Sequence, residues 1–200
     1  MYQEMDPVQV TEENRLQLID EYLKDNLTEK RICHTEGVEK TALVLAQRYG
    51  ADKEKVRIAA RLHDACRKWD EERLNAFLQI NDYDMERYMD NVNLAHGKAA
   101  MQVAKHAFAI KDEDILNAIA YHTTGRAGMS LLEKIIYIAD AVEPGRDYEG
   151  VDALREVAIQ DLDKACLMSL EGTRDYVLSQ HADCDEDTIE AIAWFTQSGT

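Results

Sequence analysis

The sequence predicts an all-α helical bundle. Only two prolines, Pro7 and Pro144, occur in its 200 residues, and most of the nine glycines lie between segments in which apolar side chains recur every three or four positions. That spacing is typical of amphipathic helices. No segment alternates apolar and polar residues over the length of a strand, and no repeat or low-complexity tract is visible. These observations favour helices that pack on one another.

The first half of the chain shows apolar stripes separated by capping residues. Stripes at 16–23 and 38–49 predict the first two helices, and Gly50 is a natural C-cap for the second. Asp52 is the expected N-cap of a third helix, because a short carboxylate side chain accepts hydrogen bonds from the first N–H groups of a helix. This third helix is predicted to run to the His63-Asp64 pair.

Capping signals continue through the second half of the chain. The acidic residues 70–72 suit the positive end of a helix dipole. Ser130 and Glu133 form a capping box, and Pro144 ends the helix that the box opens. The polar stretch 80–93 has no clear periodicity, so no element is predicted there. The other predicted helices cover 74–78, 96–108, 112–121, 130–143, 151–158, 161–177 and 185–194.

The length suits a single domain with its own hydrophobic core. We expect a helical extension over 1–28, the main domain over 29–178, and a C-terminal helix over 179–200 that packs on the same domain. The start of the chain is polar and lacks the basic and apolar regions of a signal peptide. The longest apolar run, 135–142, is broken by Asp140 and is far shorter than the roughly 20 residues of a membrane span. The sequence therefore predicts a soluble, cytoplasmic protein with no membrane contact.

The net charge limits the classes of partner that are expected, and the cysteine content indicates the redox state of the thiols. The net charge of −16 argues against a nucleic-acid surface, which normally needs a basic face, but it permits a small phosphorylated ligand held by a local basic patch or by metal ions. The four cysteines form no C-x-x-C pair, so reduced thiols are expected. Cys33 and Cys66 adjoin candidate ligands, yet phosphate chemistry favours oxygen and imidazole donors. A monomer and a homodimer both remain open.

Metal-type ligands occur singly within the helical segments. In chain order they are His34, the His63-Asp64 pair, His122 and Asp140, each beside an apolar helical run. An imidazole or a carboxylate near a helical core carries a desolvation cost unless something pairs with it. Several such groups therefore suggest that they converge on a cation.

Five sequence segments carry a family resemblance. They are Arg31–Val38, Ala59–Asp64, Leu94–Lys98, Ala118–Arg126 and Leu132–Asp147. The last two are the most selective, since they contain the runs H-T-T-G-R and A-D-x-x-E-P-G-R-D in the correct order. Over about 31–174 the chain resembles the bacterial YqeK-type HD-domain phosphohydrolases, which hydrolyse diadenosine tetraphosphate symmetrically. The resemblance implies an HD-domain helical bundle.

The resemblance also implies a binuclear metal centre. Its ligands would be His34, His63, Asp64, His96, His122 and Asp140, with Asp64 as the bridging carboxylate. Two divalent ions are implied, with iron as the family's metal, although imidazole and carboxylate donors also suit manganese, cobalt, nickel and zinc. Such a pair of ions supplies a bridging hydroxide as the nucleophile and neutralises the phosphate charge. The implied products are two molecules of ADP.

Cationic and hydroxyl groups are the candidates for holding the substrate. The candidate substrate contacts are Arg67, Lys68, Lys98, Thr123, Thr124, Gly125, Arg126 and Arg146. Arg126 and Arg146, with Asp64, are also the candidate catalytic residues, because a guanidinium pairs with phosphate through two hydrogen bonds. One position departs from the family pattern, since Arg67 stands where lysine is usual.

Other interpretations remain open. The same metal core would serve an HD-domain phosphohydrolase that acts on mononucleotides or another phosphoanhydride, and a helical ligand-binding module without catalysis is a third possibility. His96 would be a substrate contact in a mononuclear site. If Arg126 and Arg146 do not contact the substrate, they would pair with acidic side chains instead. Six further residues have either a functional role or an ordinary role in surface or core packing. The functional role would be to orient the histidines for Glu36, Glu133 and Glu143, and to stack on adenine for Tyr121, Tyr137 and Tyr148.

Overall fold

The computed structural model describes residues 10–198, and these residues form eleven α-helices and no strand. The helices are α1 Arg15–Asn26, α2 Glu29–Tyr49, α3 Lys53–Leu62, α4 Glu71–Ile80, α5 Met85–Tyr88, α6 Val92–Ala107, α7 Glu113–Ala120, α8 Leu131–Val142, α9 Val151–Gln160, α10 Leu162–Ser179 and α11 Glu186–Ser198. The all-α prediction is confirmed. Residues 1–9, which include part of the expected N-terminal extension, and residues 199–200 lie outside the described residues.

The predicted caps set the helix boundaries. Gly50 ends α2 in the left-handed region, with φ of 79°, where a side chain would be strained. The Asp52 carboxylate accepts hydrogen bonds from the first backbone N–H groups of α3. Ser130 and Glu133 form the full capping box at the start of α8, with both reciprocal bonds present. Local side-chain chemistry therefore fixes where the helices that carry the site begin and end.

The polar stretch that the sequence left unassigned contains a short helix. Asp84 caps α5, which spans only four residues, and such a helix is too short to show periodicity. Asp82 and Asp90 flank it with positive φ, which non-glycine residues adopt at tight turns. Asn91 then caps α6, so this helix begins four residues earlier than the apolar spacing predicts.

Helix α8 forms the centre of the bundle. It packs against α2, α7 and α10, and it is apolar on most of its circumference. Ile135, Ile136 and Ile138 are completely buried. Burial of each such side chain contributes roughly 1.5–3 kcal/mol to folding. The helices α2, α3, α6 and α7 surround α8 or its neighbours, so residues at their ends meet in the interior.

The two end helices pack on the central bundle. Ile19 and Leu23 of α1 are buried, and Arg61 of α3 pairs with Asp20. At the other end, α11 packs on α10 and buries Ala191 and Phe195. The domain boundaries expected from the sequence remain predictions. None of the helices within 10–198 combines the length and the apolar composition needed to span a membrane.

Candidate metal centre

Five helices bring six side chains into one interior group, which we call the ligand cluster. It comprises His34 from α2, His63 and Asp64 after α3, His96 from α6, His122 after α7 and Asp140 from α8. Candidate ligand atoms of these residues fall into three overlapping sets of three, and within each set all atoms lie within 4.8 Å of one another. The structure therefore brings together all six residues that the sequence predicts as metal ligands.

The two oxygens of Asp64 face different histidines. Oδ2 lies 3.8 Å from Nε2 of His34 and 3.9 Å from Nε2 of His63. Oδ1 lies 3.1 Å from Nε2 of His96 and 3.7 Å from Nε2 of His122. A carboxylate placed in this way can share its oxygens between two adjacent cation positions.

Asp140 completes the side of the cluster that contains His34 and His63. Its Oδ1 lies 3.0 Å from Nε2 of His34 and 3.9 Å from Nε2 of His63. Two carboxylates thus face the same two imidazoles, which concentrates negative charge and nitrogen lone pairs at one point.

Main-chain carbonyls fix the orientation of three of the histidines. In each case Nδ1 donates to a carbonyl three or four residues earlier in the chain. The pairs are His63 with Ala60 (2.6 Å), His96 with Val92 (2.9 Å) and His122 with Ile119 (2.8 Å). Because a carbonyl only accepts, Nδ1 must hold the proton of the neutral ring, and Nε2 presents a lone pair to the cluster. This is the usual arrangement around a metal-binding histidine.

A carboxylate replaces the main-chain carbonyl at the fourth histidine. Nδ1 of His34 lies 3.0 Å from Oε1 of the buried Glu143, whose Oε2 accepts a hydrogen bond from the Gly145 amide. Gly37, one turn after His34, makes room for this contact, since a Cβ there would lie 2.5 Å from Oε2 of Glu143. Of the three glutamates considered as orienting residues, Glu143 contacts a cluster histidine.

Burial and mutual attraction set the charge state of the cluster. Burial lowers the pKa of His63 to about 4 and also lowers the pKa of His96. For Asp64, burial acts to raise the pKa, but the neighbouring histidines outweigh it and hold the pKa of the carboxyl well below its usual range. The pKa of His34 is instead raised, because Asp140 and Glu143 outweigh the effect of its burial. The cluster therefore combines ionised carboxylates with neutral imidazoles at His63 and His96, which is the form that binds a divalent cation.

Several nitrogen atoms in the cluster lack a hydrogen-bond donor. Nε2 of His63 is buried without a hydrogen-bond partner among the described residues, and the buried Nε2 of His34 faces only the carboxylates of Asp140 and Asp64. Nε2 of His96 and Nε2 of His122 are 3.0 Å apart although both present lone pairs. Lone pairs at this distance repel unless a cation lies near both. The cluster therefore fits divalent transition-metal ions, which accept mixed imidazole and carboxylate ligands.

A comparison with protein families agrees with this geometry. The model of the HD domain matches residues 31–145, a segment that includes the whole ligand cluster. The chain belongs to the HD-domain family. HD domains are metal-dependent, so the family and the donor set of the cluster point to the same chemistry.

Curated relatives of this HD-domain protein have names that give their activity. A Bacillus subtilis protein named symmetrical bis(5'-nucleosyl)-tetraphosphatase is 38% identical over 172 residues, which cover 86% of this chain and 92% of the relative. A Halalkalibacterium halodurans protein of the same name is 39% identical, with 84% and 89% covered. A crystal structure from Clostridium acetobutylicum, described as a predicted HD superfamily hydrolase involved in NAD metabolism, is 45% identical with a TM-score of 0.87, covering 91% of this chain and 97% of that one.

The predicted substrate-binding cations of the HD domain lie in different surroundings. Arg146 adjoins the ligand cluster, with Nη2 2.5 Å from Oδ1 of Asp140 and Nε donating to the Asp140 carbonyl. Arg126 forms a two-bond ion pair with the buried Glu133, at 2.6 and 2.9 Å. Nζ of the buried Lys98 lies 3.4 Å from the centre of the Tyr121 ring, and burial lowers the pKa of Lys98 to about 8. Arg146 is therefore the cation of these three that touches the cluster.

The remaining candidate contacts also differ in their access to the cluster. Arg67 donates to Asn93, and Lys68 is exposed. Oγ1 of Thr123 lies 3.2 Å from Nε2 of His122. The Gly125 amide, expected to face the substrate, instead donates to the carbonyl of Tyr121. The Thr124 hydroxyl donates to the Gly125 carbonyl, so Thr123 is the residue of this loop that faces the ligand cluster.

Sequence reasoning assigned no role to Arg31, which contacts the cluster. Its Nη1 lies 2.8 Å from Oδ2 of Asp64. The available signal was its position three residues before His34, because residues at this spacing share one face of a helix. Cys33 is exposed and Cys66 is buried, and neither belongs to a ligand group among the described residues. Burial raises the pKa of the Cys66 thiol, which disfavours the thiolate.

Proposed function

We propose that this HD-domain protein is a metal-dependent hydrolase that cleaves diadenosine tetraphosphate symmetrically into two molecules of ADP. The activity is that named for the Bacillus and Halalkalibacterium relatives, which align over most of the chain. The observation that carries the chemistry is the division of the Asp64 oxygens between two pairs of histidines.

Two divalent ions are proposed, with iron as the expected metal and manganese, cobalt, nickel or zinc as chemically suitable replacements. His34, His63 and Asp140 would hold one ion, and His96 and His122 the other, with Asp64 shared. When bound, such a pair supplies an activated water at neutral pH and neutralises charge on the phosphate oxygens. The main-chain bonds to Nδ1 keep the histidines oriented for this role.

The side chains around the cluster would position the polyphosphate. Arg146 adjoins Asp140 and Arg31 adjoins Asp64, so both can pair with oxygens of a phosphate held at the cluster. The Thr123 hydroxyl can donate to the same phosphate. Arg67, Lys68, Lys98 and Arg126 remain the predicted contacts of the more distant phosphates. Because Glu133 already neutralises the charge of Arg126, we expect substitution of Arg126 to lower activity less than substitution of Arg146 does.

The test is anaerobic incubation of the metal-reconstituted protein with diadenosine tetraphosphate, followed by separation of the nucleotide products. ADP as the sole product is expected. Asp64→Ala should abolish turnover, whereas Asp183→Ala, which removes an exposed carboxylate, should not. A mixture of AMP and ATP would contradict symmetric cleavage. Faster hydrolysis of ATP or GTP than of the dinucleotide would contradict the proposed substrate.

A further inference from the structure

An open groove adjoins the metal centre on the side of Arg146. It lies between α9, α10 and the segment that follows α8, and its volume is about 740 Å³. That volume is in the range of small-ligand pockets. Its lining, which is mostly apolar, includes Arg146, Tyr148, Leu154, Met168, Gly172 and Tyr176. We call it the tyrosine groove.

Three large side chains in the tyrosine groove are exposed. Tyr148 is 45% exposed, Met168 38% and Tyr176 68%. The Tyr148 hydroxyl donates to the Ala141 carbonyl at 3.0 Å, which holds the ring in place before any ligand binds. Tyr137, by contrast, is buried in the core. It is one of the tyrosines considered for stacking on adenine, and its burial excludes contact with a base. Exposed rings that line a concave surface indicate a site for a planar ligand.

Arg146 connects the tyrosine groove to the ligand cluster. It lines the groove while its guanidinium bonds to the Oδ1 atom and the main-chain carbonyl of Asp140. The side chain is 36% exposed, so it can also meet a phosphate. Ala141, next to Asp140 in the chain, lines the groove as well. A phosphate held at the ligand cluster and a group in the groove would therefore be neighbours.

Gly172 leaves one wall of the tyrosine groove open. It lies within α10, and a Cβ built there would meet no atom within 4 Å. A glycine inside a helix costs roughly 1 kcal/mol relative to alanine, and no neighbouring side chain requires it here. The missing side chain does keep space for a flat ring beside α10.

We propose that the tyrosine groove binds one adenosine end of the dinucleotide, with the adenine against Tyr148 and Tyr176 and the adjoining phosphate paired with Arg146. This proposal rests on the proposed function for the identity of the substrate. The occupant matches the groove in three respects: a purine is flat and aromatic, its phosphate is anionic, and the phosphate chain leads towards the ligand cluster. The groove would thus select for a nucleoside rather than for phosphate alone.

The test measures binding of ADP by titration calorimetry, with inorganic pyrophosphate as a probe that lacks the nucleoside. Tyr176→Ala should weaken ADP binding at least fivefold, because stacking of one base contributes this much or more. Gly172→Ala and Gly172→Leu should weaken it progressively as the groove fills. Pyrophosphate affinity should stay within twofold in every variant. The matched control is Leu178→Ala, which removes a side chain of similar exposure elsewhere on α10.

The outcomes separate this proposal from the proposed function. Unchanged ADP affinity in Gly172→Leu and Tyr176→Ala, with symmetric cleavage intact, would overturn the groove and leave the activity standing. Loss of ADP binding in these variants, together with asymmetric cleavage by the unaltered protein, would support the groove and overturn the activity. If Gly172→Leu instead converts a dimer to a monomer at unchanged ADP affinity, the groove joins two copies of this chain and the proposal is wrong.

Discussion

At the residue scale, two of the cluster histidines are placed so that their Nε2 lone pairs face one another. Nε2 of His96 and Nε2 of His122 are 3.0 Å apart, and the carboxylates of Asp64 and Asp140 add negative charge nearby. Without a cation, this arrangement repels itself. The folded protein therefore gains more from metal binding than an arrangement of separated ligands would.

Metal removal is expected to lower the thermal stability. A ligand present at about 100 times its Kd stabilises the folded state by roughly 2.7 kcal/mol, and 1 kcal/mol shifts Tm by about 2–4 °C in a domain of this size. We expect a fall in Tm of several degrees after chelation, measured by scanning calorimetry. Asp64→Ala is the matched variant, since it should show little difference between chelated and metal-loaded samples. An unchanged Tm in the unaltered protein would contradict metal binding at the cluster.

Glu143→Gln should weaken metal binding without unfolding the protein. The glutamine keeps the shape of the side chain but loses the charge that orients His34 and raises its basicity. Loss of such a contact typically lowers metal affinity by about 10–100-fold. Competition with a fluorescent chelator measures the change. Glu36→Gln is the control, because the exposed Glu36 lies on the same helix and pairs with Lys40 instead. Equal affinities in the two variants would remove Glu143 from the site.

At the element scale, the start of α8 positions Asp140, which lies near the end of that helix. Ser130 accepts a hydrogen bond from the Glu133 amide and donates to Asp114 at 2.5 Å, so one hydroxyl joins the starts of α7 and α8. These two helices lead to His122 and Asp140. The cap thus contributes to the spacing of two proposed ligands.

Ser130→Ala is therefore expected to destabilise the protein measurably. Loss of a serine N-cap costs about 0.5–2 kcal/mol, and the lost bond to Asp114 adds to this cost. Urea unfolding monitored by circular dichroism gives the change in free energy of unfolding. Ser179→Ala is the control, because Ser179 is exposed at the end of α10 and caps no helix start. A change within 0.5 kcal/mol, as is usual for exposed positions, would show that the cap contributes little.

The elements also show which parts of the structure the sequence could predict. Helices with three or more turns have a visible apolar stripe, and caps such as Asp52 and Ser130 act within four residues, so both can be identified from local sequence. The helix α5 has only four residues, and local sequence did not reveal it. Contacts across the bundle are not encoded locally: Arg31 and Asp64 are 33 positions apart, and the spacing of Arg31 from His34 places it on the same helix face without indicating that it pairs with Asp64. The position of Lys98 over Tyr121 likewise depends on which helix faces meet.

At the scale of the whole molecule, the protein and its proposed substrate are both strongly negative. The net charge is −16, and a tetraphosphate is a polyanion. Arg146 and the proposed metal ions would attract the substrate at contact, whereas the overall field repels it at long range. The distance over which that repulsion acts depends on salt, with a screening length of about 30 Å at 0.01 M and about 8 Å at 0.15 M.

The value of kcat/KM for diadenosine tetraphosphate should therefore rise severalfold as ionic strength increases from 0.01 to 0.15 M. Stopped-time product analysis in sodium chloride and, separately, in sodium acetate would establish that the effect comes from screening rather than from one anion. The metal content should be measured at each salt concentration to exclude loss of the ions. A steady fall in kcat/KM would mean that local positive charge dominates the approach of the substrate.

The hydrogen bonds that orient the cluster histidines differ in whether substitution of the partner residue can remove them. His63, His96 and His122 donate to main-chain carbonyls, which remain in place whatever side chains occupy positions 60, 92 and 119. His34 depends on the side chain of Glu143, which a single nucleotide change can remove. Mutational drift in descendants of this gene should therefore erode the proposed ion site that contains His34 first, whereas the orientation of His96 and His122 for the other proposed ion would persist.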